Sequence, residues 1–192
     1  MSVPSFLNMG RESRLRRVVH LSAPLYLVYY ALPSPLWADG PTREVGLLIV
    51  LAAVLVVEAL RLLLGFHIPG LRGYEDKRIS AGAWAAIGLA FAMLLFPLPL
   101  VAPAVAGMAY IDPLISMLRR TSWYPWVPLL ANFLLVLAIL LIFYPPSLRV
   151  AAAAAAASVL AVGVEALRCR RVDDDFLMVV VPLLGMAAVM LL

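Results

Sequence analysis

The sequence predicts an all-α protein, a polytopic membrane helix bundle of about seven transmembrane helices in one domain over residues 1–192. Hydrophobic residues make up 65% of the 192 positions and charged residues only 14%, a composition outside the range of soluble domains. Apolar runs near the roughly 20 residues needed to cross a bilayer recur seven times. They cover residues 18–37, 45–64, 79–96, 98–118, 126–144, 148–167 and 176–192.

The first run follows the basic segment "RESRLRRVVH". We interpret it as a retained span, because it is longer than a signal peptide core and has no small-residue cleavage pattern. With the N-terminus inside, thirteen of the fifteen Lys and Arg residues lie on the cytoplasmic side, and only Arg43 and Arg149 lie outside. The positive-inside rule therefore predicts an N-in, C-out protein of the cell membrane.

The loops on the predicted cytoplasmic side carry more charge than the short outer turns. They contain "GFHIPGLRGYEDKRIS", "RRTSWYPW" and "RCRRVDDDF". A basic inner face suits anionic lipid headgroups or nucleotide phosphates, so we expect the functional site at this rim. Since Cys169 is the single cysteine, an internal disulfide and a cysteine-based zinc site are excluded, and a metal would be held by carboxylates.

Three carboxylates fall within the predicted spans: Glu58, Asp112 and Glu165. Counting from the outer ends of their spans places them about 20 to 25 Å deep in a core of about 30 Å. A charge at that depth costs at least ~2.5 kcal/mol, so each is a functional candidate. Glu58 and Glu165 are the second residues of two copies of "VEALR", at 57–61 and 164–168. The alternative to a functional role is that each glutamate pairs with the arginine three residues later, Arg61 or Arg168.

Asp112 directly precedes Pro113 in "AYIDPLISMLRR". Proline disfavours a helical conformation at the residue before it and suits the first position of a new helix. We therefore predict a broken helix near Asp112, whose carboxylate would cap a half-helix that attracts anions. A capped kink with no ligand is the alternative.

A run of three aspartates, Asp173 to Asp175, follows a basic cluster at the start of the last span. Carboxylates beside several arginines suit Mg²⁺ with a polyphosphate, although a solvated helix cap is the alternative. We interpret His20 as part of a basic anchor at the interface. The sequence has no Walker A, GxGxxG, GxSxG or HExxH motif and no basic pattern for nucleic acid, which excludes those classes.

Five segments, in order, resemble the CTP-dependent lipid kinase family that includes dolichol kinase, phytol kinase and CTP-dependent diacylglycerol kinase. They are "RRVVH", "VEALR", "YEDKRISAGAWAAIGLAFAMLLFP", "IDPLISMLRR" and "VEALRCRRVDDDFLMVVVP", and together they cover nearly the whole chain. The family is distantly similar to phosphatidate cytidylyltransferases.

The resemblance implies a membrane kinase that transfers the γ-phosphoryl group of CTP, with Mg²⁺, to a polyprenol or a similar isoprenoid or glycerolipid alcohol at the cytoplasmic face. Asp112 and Glu165 would be catalytic, and Asp112 with Asp173 and Asp174 would hold the metal. The expected nucleotide- or phosphate-binding residues are Arg16, Arg17, Lys77, Arg168 and Arg171. The expected supporting polar residues are Glu58, Arg61 and Glu75.

Two other functions stay open from the sequence. One is a cytidylyltransferase-like synthase that forms a CDP-lipid from a lipid phosphate. The other is a non-catalytic lipid-binding or transport protein, because Ile111 and Arg119 stand where the family has glycine. The expected partners are a lipid alcohol, a nucleoside triphosphate and the membrane, but not nucleic acid. The lipid, the choice of CTP or ATP, and homo-oligomerisation are left open.

Overall fold

The chain folds into a bundle of apolar helices, and the all-α prediction is confirmed. The computed structural model describes residues 18, 20–66, 71, 75–167 and 172–191. Within these ranges no strand occurs, and two 3-10 helices, Ala23–Ala31 and Glu75–Lys77, accompany six α-helices. The α-helices are α1 (Arg43–Leu64), α2 (Ala81–Leu95), α3 (Leu98–Leu118), α4 (Trp126–Phe143), α5 (Leu148–Leu167) and α6 (Asp174–Leu191).

Five of the α-helices are long and apolar enough to cross a membrane: α1, α3, α4, α5 and α6. Helix α2 has 15 residues, which gives a length of about 22 Å against a hydrocarbon core of about 30 Å. Large apolar side chains such as Leu63 and Ile142 are exposed on the outer surface. This surface is typical of a helical membrane bundle, because lipid-facing residues need no polar contact with water.

The first predicted span forms a nine-residue 3-10 helix, Ala23–Ala31, rather than a long α-helix. A 3-10 helix rises about 2.0 Å per residue, so nine residues extend about 18 Å instead of about 13.5 Å. The Tyr30 hydroxyl donates to the Phe96 carbonyl at 2.7 Å, and His20 contacts the Met108 carbonyl at 2.8 Å. The segment therefore runs along α3, from the start of α3 near Phe96 to its middle at Met108.

The ends of the helices follow local chemistry. The Thr42 hydroxyl accepts from the Val45 N–H at the start of α1, and the Ser80 hydroxyl accepts from the Ala83 N–H at the start of α2, as N-caps do. Gly65 ends α1 with φ +68°. Glycine adopts this left-handed conformation without steric penalty, so α1 stops at the rim of the bundle.

The predicted break near Asp112 is wrong, because α3 continues as an α-helix from Leu98 to Leu118 with Pro113 inside it. Prolines are tolerated within membrane helices when neighbouring groups satisfy the disturbed turns. Here the Met108 carbonyl interacts with the His20 ring, and the Ser116 hydroxyl donates to the Pro113 carbonyl at 2.8 Å. Packing against the 3-10 helix, α4 and α6 holds α3 in one piece.

Helices α3, α5 and α6 occupy the interior, whereas α1 packs mainly on α2 at the periphery. Small side chains bring the inner helices together: Ala153, Ala154 and Ala157 of α5 are almost completely buried, as expected of close-packed membrane helices. A Cβ atom built on Gly88 of α2 would lie 3.3 Å from the Phe176 Cα of α6. This close contact positions the first turn of α6, which carries Asp175.

Candidate functional site

A cluster of one imidazole and two carboxylates joins three separate segments of the chain. His20 lies three residues before the 3-10 helix, Asp112 lies in the last two turns of α3, and Asp175 lies in the first turn of α6. One potential ligand atom from each lies within 4.8 Å of the other two. His20 Nε2 is 3.5 Å from Asp112 Oδ2, and His20 Nδ1 is 3.5 Å from Asp175 Oδ1. The ring therefore bridges the two acids.

The backbone of α3 orients the His20 ring. Its Nε2 lies 2.8 Å from the Met108 carbonyl oxygen, and a carbonyl can only accept, so Nε2 carries a proton and donates it. In the neutral ring, Nδ1 is then an electron-pair donor on the Asp175 side. Asp112 follows Met108 by four residues and thus lies on the same face of α3. One turn of α3 therefore supplies both the anchor of His20 and one carboxylate.

The N-terminal turn of α6 places Asp175 in the interior. Residues at helical spacing after it, such as Val179 and Leu183, are fully buried, so Asp175 begins the buried face of α6. The Asp173 carboxylate accepts from the Asp175 N–H at 3.2 Å, which makes Asp173 a helix cap. The structure thus brings Asp175 to Asp112, while Asp173 caps the helix and Asp174 stays half-buried.

Sequence reasoning missed His20 and Asp175 as members of this cluster. Of the predicted catalytic and metal residues, Asp112 lies in the cluster, and Asp173 and Asp174 are sequence neighbours of Asp175. The periodicity of α6 contained the missing signal, because the apolar buried face continues back to position 175. For His20 no spacing rule applies, since its partners lie more than 90 residues away.

The donor set of the cluster fits a divalent cation. Carboxylate oxygens are preferred by Mg²⁺, and an added imidazole nitrogen is accepted by Mn²⁺, Fe²⁺ or Zn²⁺. Metal-binding histidines usually donate their second ring N–H to a carbonyl or carboxylate, and His20 has this arrangement at Met108. The His20 and Asp175 side chains are each 11% exposed and that of Asp112 is 26% exposed. The group is therefore accessible from one side.

Glu58 and Arg61 form a second, structural cluster at the end of α1. Arg61 donates to both carboxylate oxygens of Glu58, at 2.7 and 3.1 Å, and to the Glu75 and Arg78 carbonyls. Glu58 also accepts from the Ser80 N–H at 2.6 Å. Bidentate pairs of this kind are strong and directional, so the cluster fixes the segment that leads into α2. Glu58 therefore pairs with Arg61, three residues later, which is the structural alternative that the sequence left open.

Two predicted residues lie in the segment that this cluster fixes. Glu75 is buried, and its carboxylate accepts from the Ala81 N–H at 3.3 Å at the start of α2. Lys77 is exposed, two residues further along. Glu75 also lines the cavity described below, whereas Lys77 faces outward at the same end of the bundle.

Glu165 is buried near the end of α5 and forms an ion pair with Arg119 at the end of α3. The Arg119 guanidinium also donates to the Glu165 carbonyl at 3.0 Å. This interaction ties α3 to α5 and lies outside the His20–Asp112–Asp175 cluster. The Arg119 position, where the resembling family has glycine, therefore supplies a structural partner for a buried acid.

The two copies of "VEALR" occupy different parts of the bundle. Helix α1, with Glu58, packs against α2, whereas α5, with Glu165, packs against α4 and α6. The two acids thus have separate partners in place of one shared polar site. The predicted phosphate-binding residues Arg16, Arg17, Arg168 and Arg171 lie outside the described residues.

A cavity of about 410 Å³ opens next to the cluster, within the usual size range of small-molecule sites. It lies between the 3-10 helix Ala23–Ala31, α1, α2 and α3. His20, Glu75 and Asp175 line one end, and apolar side chains line almost all the rest. The arrangement can therefore accommodate a molecule with one polar end and a hydrocarbon body.

A scan against protein-family models, a search of curated proteins and a search of solved structures each found no match for this chain.

Proposed function

We propose that this protein is a membrane lipid-alcohol kinase that transfers the γ-phosphoryl group of CTP to a polyprenol or a similar isoprenoid or glycerolipid alcohol. The observation that supports this proposal best is the position of the His20–Asp112–Asp175 cluster at the polar end of a hydrocarbon-lined cavity. A lipid hydroxyl in this cavity would meet a cation-binding set of side chains. The preference for CTP comes from the order of the sequence motifs.

The cluster supplies what phosphoryl transfer requires of a protein. Such transfer depends mainly on positioning and on neutralising charge. Asp112, Asp175 and the Nδ1 of His20 would hold Mg²⁺, which would offset the negative charge of the triphosphate. Met108 keeps the His20 ring in one orientation through its carbonyl, so the nitrogen on the Asp175 side needs no rearrangement before it binds.

The reaction joins the alcohol oxygen to the γ-phosphorus and breaks the bond from that phosphorus to the bridging oxygen of the β-phosphate. CDP leaves, and the hydroxyl proton passes to a carboxylate. We assign this proton to Asp112, which is the most exposed of the three clustered side chains and lies beside His20 and Asp175, two residues that line the cavity. Glu165, the other catalytic candidate, is engaged by Arg119.

The proposed orientation puts the cluster at the cytoplasmic face, with seven crossings, an inside N-terminus and an outside C-terminus. Lys77, Arg78, Arg119 and Arg120 belong to the same end of the bundle as Asp175, and basic residues favour the cytoplasmic side. A nucleotide from the cytoplasm and a hydroxyl from the bilayer could meet there. The other predicted phosphate-binding residues, Arg16, Arg17, Arg168 and Arg171, would contribute further phosphate contacts.

The test is a labelling assay with purified protein in lipid. Protein, Mg²⁺ and γ-labelled CTP or ATP are incubated with polyprenols, phytol-like alcohols or diacylglycerol, and label is followed into the organic phase. We expect label with one class of alcohol and a loss of at least about 100-fold in Asp112→Asn, the lower range for a lost acid or base. Asp174→Asn is the matched control and should remain active.

Two results would overturn the kinase proposal. Release of pyrophosphate with formation of a CDP-lipid from a lipid phosphate identifies a cytidylyltransferase. Absence of product with every donor and acceptor, in protein that is folded by circular dichroism and monodisperse, identifies a non-catalytic lipid-binding protein.

A further inference from the structure

We propose that the cavity beside the cluster binds a single hydrocarbon chain. The chain enters from the bilayer between the 3-10 helix and α1, and the small residues of α2 determine the length of chain that the cavity holds. For the role of the hydroxyl, this inference rests on the proposed kinase function. Binding of the chain itself is a separate property, which can be measured without turnover.

The size of the cavity limits its occupant. A volume of about 410 Å³ lies near the lower end of the range of small-molecule sites, about 300 to 1,000 Å³. This space suits a segment of one prenyl or alkyl chain. Of the two acyl chains of a diacylglycerol, only one can enter, so the second chain has to stay in the bilayer and a glycerolipid alcohol fits less well.

The polarity of the lining orients the chain. His20, Glu75 and Asp175 lie at one end, and Leu47 and Met93 lie far along the bundle toward the opposite end. From Gly82 to Met93 the lining follows α2 for 11 residues, a distance of about 16 Å. An alcohol would therefore place its hydroxyl at the cluster and its tail along α2, since burying the hydroxyl at the apolar end would leave it without a partner.

One face of α2 creates the space. The small residues Gly82, Ala85, Ala86 and Ala90, at positions i, i+3, i+4 and i+8, share one face of α2 and all line the cavity. Ala85 and Ala86 are only half-buried, so neighbouring helices do not cover them completely. A Cβ atom built on Gly82 meets only the Ser80 hydroxyl, at 4.0 Å. Larger side chains here would thus fill the cavity without straining the backbone.

The cavity has a side opening toward lipid. Tyr26 of the 3-10 helix and Val50 of α1 both line it, yet they are 55% and 60% exposed. Both lie within the apolar part of the bundle, where exposure means contact with hydrocarbon. A chain longer than the cavity can therefore leave its remainder in the bilayer, which makes binding compatible with long polyprenols.

The experiment measures binding directly. The purified protein in nanodiscs is irradiated with a C15 prenyl alcohol that carries a diazirine at its tail, and the labelled peptides are identified by mass spectrometry. We expect label on α1 and α2 peptides, competition by unlabelled C15 alcohol, and at least about tenfold weaker competition by diacylglycerol, the penalty of a poor fit in an apolar pocket.

Ala86→Leu places an isobutyl group in the cavity and should reduce the labelling at least about tenfold. Ala52→Leu is its matched control, because Ala52 is an exposed alanine of α1 that does not line the cavity. It should label normally. Circular dichroism and size-exclusion profiles of both variants check the fold.

Label spread evenly over lipid-facing peptides and unaffected by Ala86→Leu would overturn the proposal. Equal competition by diacylglycerol would overturn its single-chain part. Site-specific labelling in a protein that phosphorylates no alcohol would retain the chain site and reject the kinase function, so the two failures are distinguishable.

Discussion

At His20, the two ring nitrogens have different surroundings. One donates to a backbone carbonyl of α3, and the other lies beside Asp175. A ring fixed in this way loses little conformational entropy when its second nitrogen binds a ligand. The function of the cluster therefore depends on which of the three aspartates at the start of α6, Asp173 to Asp175, faces the ring. This can be tested one residue at a time.

We predict that Asp175→Asn weakens Mn²⁺ binding at least about tenfold, since a carboxylate ligand carries much of the affinity of a small cation site. Electron paramagnetic resonance titration of the protein in detergent measures this, with Mn²⁺ as the visible substitute for Mg²⁺. Asp174→Asn removes a carboxylate one residue away that lies outside the cluster, and should change the affinity less than about twofold. Equal losses in both variants would contradict the structural assignment and favour the predicted Asp173–Asp174 pair.

The Glu58–Arg61 pair gives a second prediction at the level of residues. Arg61→Met should destabilise the protein by about 3 to 5 kcal/mol, because it leaves a buried carboxylate without its counter-charge. The double variant Glu58→Gln with Arg61→Met should recover part of this loss, since glutamine still accepts from the Ser80 N–H. Denaturant unfolding in mixed micelles gives the free energies of the four proteins. Additive effects of the two substitutions would mean that the pair is not coupled.

At the level of elements, contacts between helices decide where the site residues meet. Helix α3 stays continuous despite Pro113 because the 3-10 helix, α4 and α6 pack around it. Helix α6 lies close to α2 because Gly88 has no side chain between its backbone and Phe176. Since Phe176 follows Asp175 directly, this helix contact positions one carboxylate of the cluster.

We therefore predict that Gly88→Val disturbs the cluster from a distance. A Cβ atom at this position lies 3.1 Å from the Phe176 ring and 3.3 Å from its Cα, so α6 must shift, at a cost of about 1 to 3 kcal/mol. Both Mn²⁺ affinity and lipid phosphorylation should fall. Gly163→Val on α5 is the matched control, because an added Cβ there meets nothing within 4 Å. Similar effects of the two substitutions would point to a general cost of valine in these helices.

For the whole molecule, the number of membrane crossings determines on which side each loop lies. Trp37 and Trp123 are both exposed, at 63% and 64%, and tryptophan is enriched at membrane interfaces. Between them the chain passes through α1, α2 and α3. If the short helix α2 crosses the membrane, the two tryptophans lie on opposite sides.

We predict that a membrane-impermeant maleimide labels Trp37→Cys in intact cells, and labels Trp123→Cys only in inverted vesicles, in a Cys169→Ser background. This outcome follows from an inside N-terminus, a first segment that crosses before Trp37, and three further crossings by α1, α2 and α3. Labelling of both positions from the same side would show that α2 does not cross. Labelling with the two sides exchanged would reverse the orientation, and would place the cluster on the outer face.

The amino-acid sequence by itself determined the all-helical membrane fold and most helix positions. These properties depend on local composition and on apolar runs, which any stretch of about 20 residues reveals. Helices α1, α3, α4, α5 and α6 accordingly begin and end within a few residues of their predicted bounds. The single domain, the orientation and the site residues as a set stay predictions.

Only the tertiary structure decided the conformation of the first span, the continuity of α3 and the partners of the buried acids. Asp112 meets His20 and Asp175, Glu165 meets Arg119, and Glu58 stays with Arg61. Apart from the last, these pairings join residues separated by dozens of positions, and no local propensity specifies them. They form because a charge buried in an apolar bundle must find a partner, and helix packing determines which partner lies within reach.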